Sequence, residues 1–221
     1  MATISKTIGD FSLMLPDGTF DGIIFDCDGT LVDSMPVQWR AWRAAFAKYD
    51  APFDFGWELF YSRAGVGMED TVRQLNAQFG ASLDPAAIVR HQLALYEEFA
   101  LTVEPIAVVV EIAERERSRA KLGVASGSGR HHVERSLTVT NIRDLFSVVV
   151  CQEDVTRGKP EPEMFLLAAD KLGVAPERCL VVEDSPLGIE GARRAGMQSA
   201  FVRRTVVPAA SFSLHRGPPE E

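Results

Sequence analysis

The sequence predicts an α/β chain built on a doubly wound parallel sheet, and three features carry that expectation. Short apolar runs recur near 22–27, 121–125, 147–151, 179–183 and 198–202, and helix-periodic stretches near 130–139, 161–172 and 187–195 separate them. Strands alternating with helices imply parallel pairing through right-handed crossovers, with helices on both faces of the sheet. The runs are β-branched and apolar throughout, as strands buried on both faces are. Several of them stop abruptly at polar residues, which places those residues at the carboxyl edge, where ligands of open α/β sheets bind.

In chain order, Met1 to Phe20 scatters its apolar residues among Lys6, Asp10, Pro16, Asp17 and Gly18, which is not the pattern of a secretory signal. Pro16-Asp17-Gly18-Thr19 reads as a turn, and residues 1–19 as an N-terminal arm. The first core strand then runs from Gly22 into Asp26-Cys27-Asp28-Gly29-Thr30. Asp26 and Asp28 would share a face if the chain stayed extended, and Gly29 permits a turn that aims them separately. Two acids in different surroundings hold different protonation states, one an ionised nucleophile and the other a proton donor. Cys27 points the opposite way and reads as core packing.

Farther on, Pro105 opens a helix through Ser118 whose glutamates and arginines make a solvated, ion-paired face. Leu122 to Ala125 is a strand that enters the small turn Ser126-Gly127-Ser128-Gly129, and such a turn points hydroxyls and backbone N–H groups at a phosphate. His131 and His132 are adjacent on the following helix and diverge, so they make no metal site. Lys159 lies just outside the start of a helix marked by Pro160, Met164, Leu167, Ala168 and Leu172, with Gly173 as its C-cap. Cys179 to Val182 is a further buried strand, and it ends in Glu183-Asp184 ahead of a helix that closes at Gly196. Hard oxygen ligands at a strand end suit Mg²⁺, which takes one or two carboxylates together with phosphate and water. Residues 207–221, rich in proline and glycine, read as a disordered tail.

The order D-x-D-G-T with L-V-D-S, then V-A-S-G-S, G-K-P-x-P and V-V-E-D-S-x-x-G-I, resembles the motifs of the haloacid dehalogenase superfamily over about residues 21–203. That resemblance implies a Rossmann-like core of 20–34 and 106–206, with the Asp26 strand central and an all-helical cap inserted at 35–105, as in the beta-phosphoglucomutase and sugar-phosphate phosphatase branch. It also implies the chemistry. Asp26 attacks phosphorus and carries an aspartyl phosphate, Asp28 protonates the leaving alcohol and later deprotonates water, and Thr30 steadies Asp28 beside the phosphate. Ser126, Gly127, Ser128 and Lys159 bind phosphate, while Mg²⁺ is held by Asp26, the Asp28 carbonyl and Asp184, with Glu183 bound directly or through water.

The expected function is therefore a Mg²⁺-dependent phosphatase for a small phosphorylated sugar, polyol or sugar acid, similar to small bacterial fructose-1-phosphate or sugar-phosphate phosphatases. A phosphosugar mutase is the alternative, and a non-catalytic metabolite- or partner-binding module a remote one. Mutase caps carry a histidine, an arginine and a lysine where this chain aligns Gln38, Met68 and the neighbourhood of Arg90 to Gln92, which favours hydrolysis. Gln38, Trp39, Arg63, Met68, Arg90, His91 and Gln92 are candidate cap contacts, and Gly65 and Gly67 allow a cap loop to dip.

Composition narrows the field. With 221 residues, 46% of them hydrophobic, the chain can bury one substantial core and a smaller unit. A net charge of −8 gives no basic footprint for nucleic acid or anionic membrane. Cys27, Cys151 and Cys179 lack C-x-x-C spacing and read as buried free thiols of a reducing, cytoplasmic compartment. No apolar run approaches the ~20 residues of a membrane span. The expected partner is a small phosphorylated metabolite, and the expected state a monomer or weak dimer.

Overall fold

The computed structural model describes residues 3–63 and 66–206. They form two compact units, one of the residues up to Met35 together with Leu101–Val206, the other of Pro36–Ala100. The strands are β1 Thr3–Ile8, β2 Phe11–Pro16, β3 Gly22–Phe25, β4 Lys121–Ala125, β5 Val148–Val150, β6 Cys179–Glu183 and β7 Gln198–Arg204. The helices are α1 Met35–Lys48, α2 Trp57–Tyr61, α3 Met68–Phe79, α4 Pro85–Phe99, α5 Ala107–Glu116, α6 Arg130–Val139, α7 Glu163–Leu172 and α8 Pro186–Arg194.

The strands make a single seven-stranded sheet in the order β1-β2-β7-β6-β3-β4-β5. From β7 to β5 every pairing is parallel, with β3 between β6 and β4, while β2 runs antiparallel to both β1 and β7. The fold is thus the α/β architecture expected, with an antiparallel edge added. On one face, Met164, Phe165, Ala168, Ala169 and Leu172 form a helical stripe on α7 that packs with Ile24, Val150 and Val181. Full burial of a side chain such as Phe165 stabilises by roughly 1.5–3 kcal/mol, so this stripe anchors the strands that carry the site. Gly173, at φ 63, ends α7 with its N–H on Asp170 and Ala169 carbonyls. On the other face Leu13 pairs with Val202, both buried, and α5 packs over β1 and β2.

The hairpin is a correction to the arm expected over residues 1–19. Phe11, Leu13 and Leu15 are buried while Met14 is exposed, a period-two pattern with a tight turn at Gly9, φ 56. Its inner face is held further by Arg204, whose guanidinium lies 4.5 Å from the Phe11 ring centroid and pairs with Asp33. α5 also starts later than expected, because Pro105 bridges to Val32 and Ile106 N–H donates to the Leu31 carbonyl. Likewise β3 ends at Phe25, so Asp26 begins the turn.

The second unit is helical. Asp84 caps α4 by accepting the Ala86 N–H, with Pro85 at the first helical position. Ala41 of α1 packs against Tyr96 and Ala100, and Phe46 contacts the rings of Trp42, Phe53 and Phe55. Gly65 and the 207–221 tail lie outside the described residues.

Candidate active site

Where β3 ends, Asp26 N–H continues the ladder by donating to the Val182 carbonyl at 2.9 Å, which fixes the aspartate against β6. The chain then reverses: the Cys27 carbonyl accepts the N–H groups of Leu31 and Val32, and Gly29 sits at φ +83. Only glycine adopts that backbone without strain. A Cβ there would also lie 2.4 Å from Asp184 Oδ2, so the turn passes directly against that carboxylate.

Asp26 is buried at 6% exposure, and Lys159 reaches it from the segment before α7, with Nζ donating to Asp26 Oδ1 at 2.6 Å and to Glu183 Oε1 at 2.7 Å. Glu183 is 1% exposed and uses its second oxygen, Oε2, to accept the Ser185 N–H at 2.5 Å. Both Glu183 oxygens are thereby turned to Lys159 and the start of α8. Through these bonds Glu183 fixes the direction of the Lys159 ammonium. Gly188 is what lets the carboxylate fit beneath the first turn of α8, since a Cβ at that position would meet Glu183 Oε1 at 1.8 Å.

Burial raises the Asp26 pKa to about 7 despite the opposing pull of Lys159, and the charges of Glu183 and Asp28 add to the rise. Burial works against the Lys159 ammonium too, but Asp26 and Glu183 outweigh it and hold its pKa above the ordinary lysine value. Cys27 is fully buried, and burial, with Asp28 and Asp26 nearby, pushes its thiol well up, in keeping with a packing role.

Asp28 is held by hydroxyls on two different segments. Ser34 Oγ donates to Oδ1 at 2.5 Å and Ser128 Oγ to Oδ2 at 2.6 Å. Ser34 is fully buried and was not among the expected site residues; the turn at Cys27 brings it back onto Asp28. Thr30, expected to steady Asp28, instead donates to Asp184 Oδ1 at 3.3 Å. Ser126 is buried, and its Oγ accepts the Ser128 N–H at 3.1 Å. The N-terminal N–H of α6 at Arg130 is taken by Glu153, so it does not serve an anion here.

Of the cap candidates, Gln38 and Met68 are half-buried and Arg90 is exposed. Arg63 donates to Gln74 Oε1 and Gln78 Oε1, which ties it to α3. The Trp39 indole N–H donates to the Phe55 carbonyl at 2.8 Å, the His91 ring faces Tyr49, and Gln92 is buried.

Acid pairs closing adjacent parallel strands, with a lysine bonded to the first acid and a serine turn after the neighbouring strand, set the architecture beside known proteins. The profile of the family described as haloacid dehalogenase-like hydrolase matches residues 23–202. The chain belongs to this family. Fructose-1-phosphate phosphatase YqaB of Escherichia coli (strain K12) is 33% identical over 186 residues, 83% of this chain and 97% of that protein. Validoxylamine A 7'-phosphate phosphatase of Streptomyces hygroscopicus subsp. limoneus is 33% identical over 180 residues, covering 79% of this chain and 81% of that one. A solved haloacid dehalogenase-like protein of unknown function from Agrobacterium tumefaciens str. C58 superposes with a TM-score of 0.71 at 31% identity, over 81% of each chain.

For a haloacid dehalogenase-like hydrolase the donor chemistry at this edge suits a hard cation. Among the described residues no three His, Cys, Asp or Glu side chains gather into a ready-made cage. Mg²⁺ does not require one, because it binds through one or two carboxylates and keeps waters or phosphate oxygens. Asp26 and Asp184 close the neighbouring strands β3 and β6, and the bare Gly29 backbone leaves room for the Asp184 carboxylate. No described helix is long and apolar enough to cross a membrane.

Proposed function

We propose that this hydrolase is a Mg²⁺-dependent phosphomonoesterase acting on a small phosphorylated sugar, polyol or sugar acid. The observation that carries the reading is Asp26 itself: a buried carboxylate at the carboxyl end of the central strand, bonded by Lys159, with a second, independently held carboxylate two residues on. Asp26 attacks phosphorus in line, the bond to the leaving oxygen breaks, and Asp28 delivers the proton that oxygen needs. Asp28 then takes a proton from the water that attacks the aspartyl phosphate, which releases phosphate and restores Asp26. Acid–base help of this kind is typically worth ~10²–10⁴ in rate. Lys159, oriented by Glu183, and the Ser126 hydroxyl bind non-transferring phosphate oxygens.

When bound, Mg²⁺ would be held by Asp26, Asp184 and the Asp28 carbonyl and would supply positive charge that draws a phosphate dianion to an acidic edge. The phosphatase names of the relatives support the reaction class and the sugar-phosphate substrate class. Gln38 and Met68, at positions where mutase caps carry cations, support hydrolysis over mutation. The buried, unpaired cysteines suit a reducing compartment such as the cytoplasm.

The test is phosphate release from para-nitrophenyl phosphate with Mg²⁺ and with excess EDTA, followed by a panel of phosphorylated metabolites with Mg²⁺. Mg²⁺-dependent release that prefers sugar phosphates is expected. Undiminished activity in EDTA, or none on any phosphomonoester, would overturn the reading.

A further inference from the structure

We propose that Ser128 is a positioning residue for Asp28 and not a phosphate ligand, so that the two serines of the Ser126-Gly127-Ser128 turn divide two tasks. The inference rests on the acid role just assigned to Asp28. A serine hydroxyl has a single proton to donate, and phosphate oxygens at neutral pH offer acceptors. Ser128 commits its proton to Asp28 Oδ2 at 2.6 Å, so it could serve a phosphate oxygen only by releasing the aspartate. Ser126 is arranged the other way. Its Oγ accepts the Ser128 N–H at 3.1 Å, which leaves its own proton for a phosphate oxygen while the same bond pins the backbone that aims Ser128.

Asp28 is also gripped from the other side by Ser34, whose Oγ donates to Oδ1 at 2.5 Å from a fully buried position. Ser34 follows β3 and Ser128 follows β4, so the two hydroxyls fix the carboxylate between separate segments of the sheet edge. A single bond would leave the carboxylate free to turn about its side-chain torsions; two opposed ones hold its plane. The direction in which an acid presents its proton decides whether it is in line with the leaving oxygen, and a misplacement of about 1 Å can lower a rate ~10²-fold. Ser128 thereby acts on the leaving group through Asp28 and leaves phosphate affinity to Ser126 and Lys159.

The two roles separate in steady-state kinetics with Mg²⁺ on para-nitrophenyl phosphate and phenyl phosphate, with inorganic phosphate as product inhibitor. Phenolate is the more basic leaving group, at a pKa near 10 for a phenol of the tyrosine kind, and depends more on the acid. S128A is expected to lower kcat on phenyl phosphate ~10-fold or more and on para-nitrophenyl phosphate much less, with KM and the phosphate inhibition constant within about twofold. S128T, which keeps the hydroxyl, should recover most of the phenyl phosphate rate. S34A should shift the ratio in the same direction, and the double variant should lose less than the product of the single losses, because both act on one carboxylate. A rise in KM and in the phosphate inhibition constant for S128A, equal on both substrates, would overturn the proposal in favour of a phosphate ligand, and an unchanged variant would overturn it outright. D28N keeps the two levels apart. If D28N leaves the ratio of the two substrates untouched, the acid role of Asp28 fails and the proposal fails with it; if D28N shifts the ratio and S128A does not, only the role of Ser128 fails.

Discussion

Replacing Gly188 by alanine should destabilise the protein at a helical position where alanine ordinarily helps. On α8 the exchange by itself is worth about 0.5–1 kcal/mol in favour of alanine. The added Cβ, however, would lie 1.8 Å from Glu183 Oε1, 2.0 Å from Cδ and 2.6 Å from Cγ, so the whole carboxylate must move. Glu183 is 1% exposed and bonded to Lys159 and to the Ser185 N–H, which leaves it no open direction. Pulling one partner out of a buried ion pair costs about 3–5 kcal/mol, so the expected net loss is about 2–4 kcal/mol. At about 2–4 °C per kcal/mol for a chain of this size, the midpoint should fall roughly 5–15 °C. Urea and thermal unfolding followed by circular dichroism read this directly. The decisive comparison is G188A made in an E183A background, where the obstructing side chain is gone and the penalty should largely vanish. A G188A protein as stable as the parent, or a penalty that persists without Glu183, would refute the reasoning.

Other outcomes follow from the same geometry. D26N should show no turnover on para-nitrophenyl phosphate, because an amide is not a nucleophile for phosphorus, and substantial release would remove Asp26 from the mechanism. In EDTA, Asp26 should make stability pH-dependent. Its carboxyl keeps its proton up to about pH 7 when folded but loses it near pH 4 when unfolded, so between these values the native state binds more protons and stability falls as pH rises, by an amount on the order of 1–3 kcal/mol. The unfolding free energy of the wild type minus that of D26N should therefore decline from pH 5 to pH 7.5 and level off above; a flat difference would contradict the raised pKa. G29A should weaken apparent Mg²⁺ affinity ~10–100-fold, because its Cβ would push on Asp184 and its backbone is held at φ +83, and an unchanged Mg²⁺ titration would argue against Asp184 as a ligand.

Asp26 and Asp184 were legible because each closes an apolar run, and the end of a buried strand is a place that sequence periodicity locates well; Lys159 was legible from its place just ahead of the proline-marked start of α7. The partners of the hydroxyls were not. Thr30 lies within, and Ser34 just beyond, a turn built on the Cys27 carbonyl, and which side chain such a turn returns to which neighbour depends on backbone angles that no spacing encodes. Glu183 and Asp184 read as two acids at one cation, Asp184 as its ligand and Glu183 bound directly or through water, yet neighbouring residues at a strand end leave on opposite faces, and one meets Lys159 while the other meets Thr30. The β1–β2 hairpin had a readable signal in the alternation Phe11, Leu13, Leu15 after Gly9-Asp10, but the charged residues among the first twenty made the stretch look peripheral.

That hairpin changes what the first residues of the chain can be asked to tolerate. Because β2 donates Phe11, Leu13 and Leu15 to the face covered by α5, and Phe11 is the ring on which Arg204 rests while it grips Asp33, the amino terminus is joined to the loop that carries Ser34. A version of the enzyme begun at residue 20, as a simplified or fused form might be designed, would open a greasy flank along β7 and release Arg204 from its ring. Its damage would surface as clumping in the test tube and as slack in the segment around Asp33, some distance along the chain from the cut.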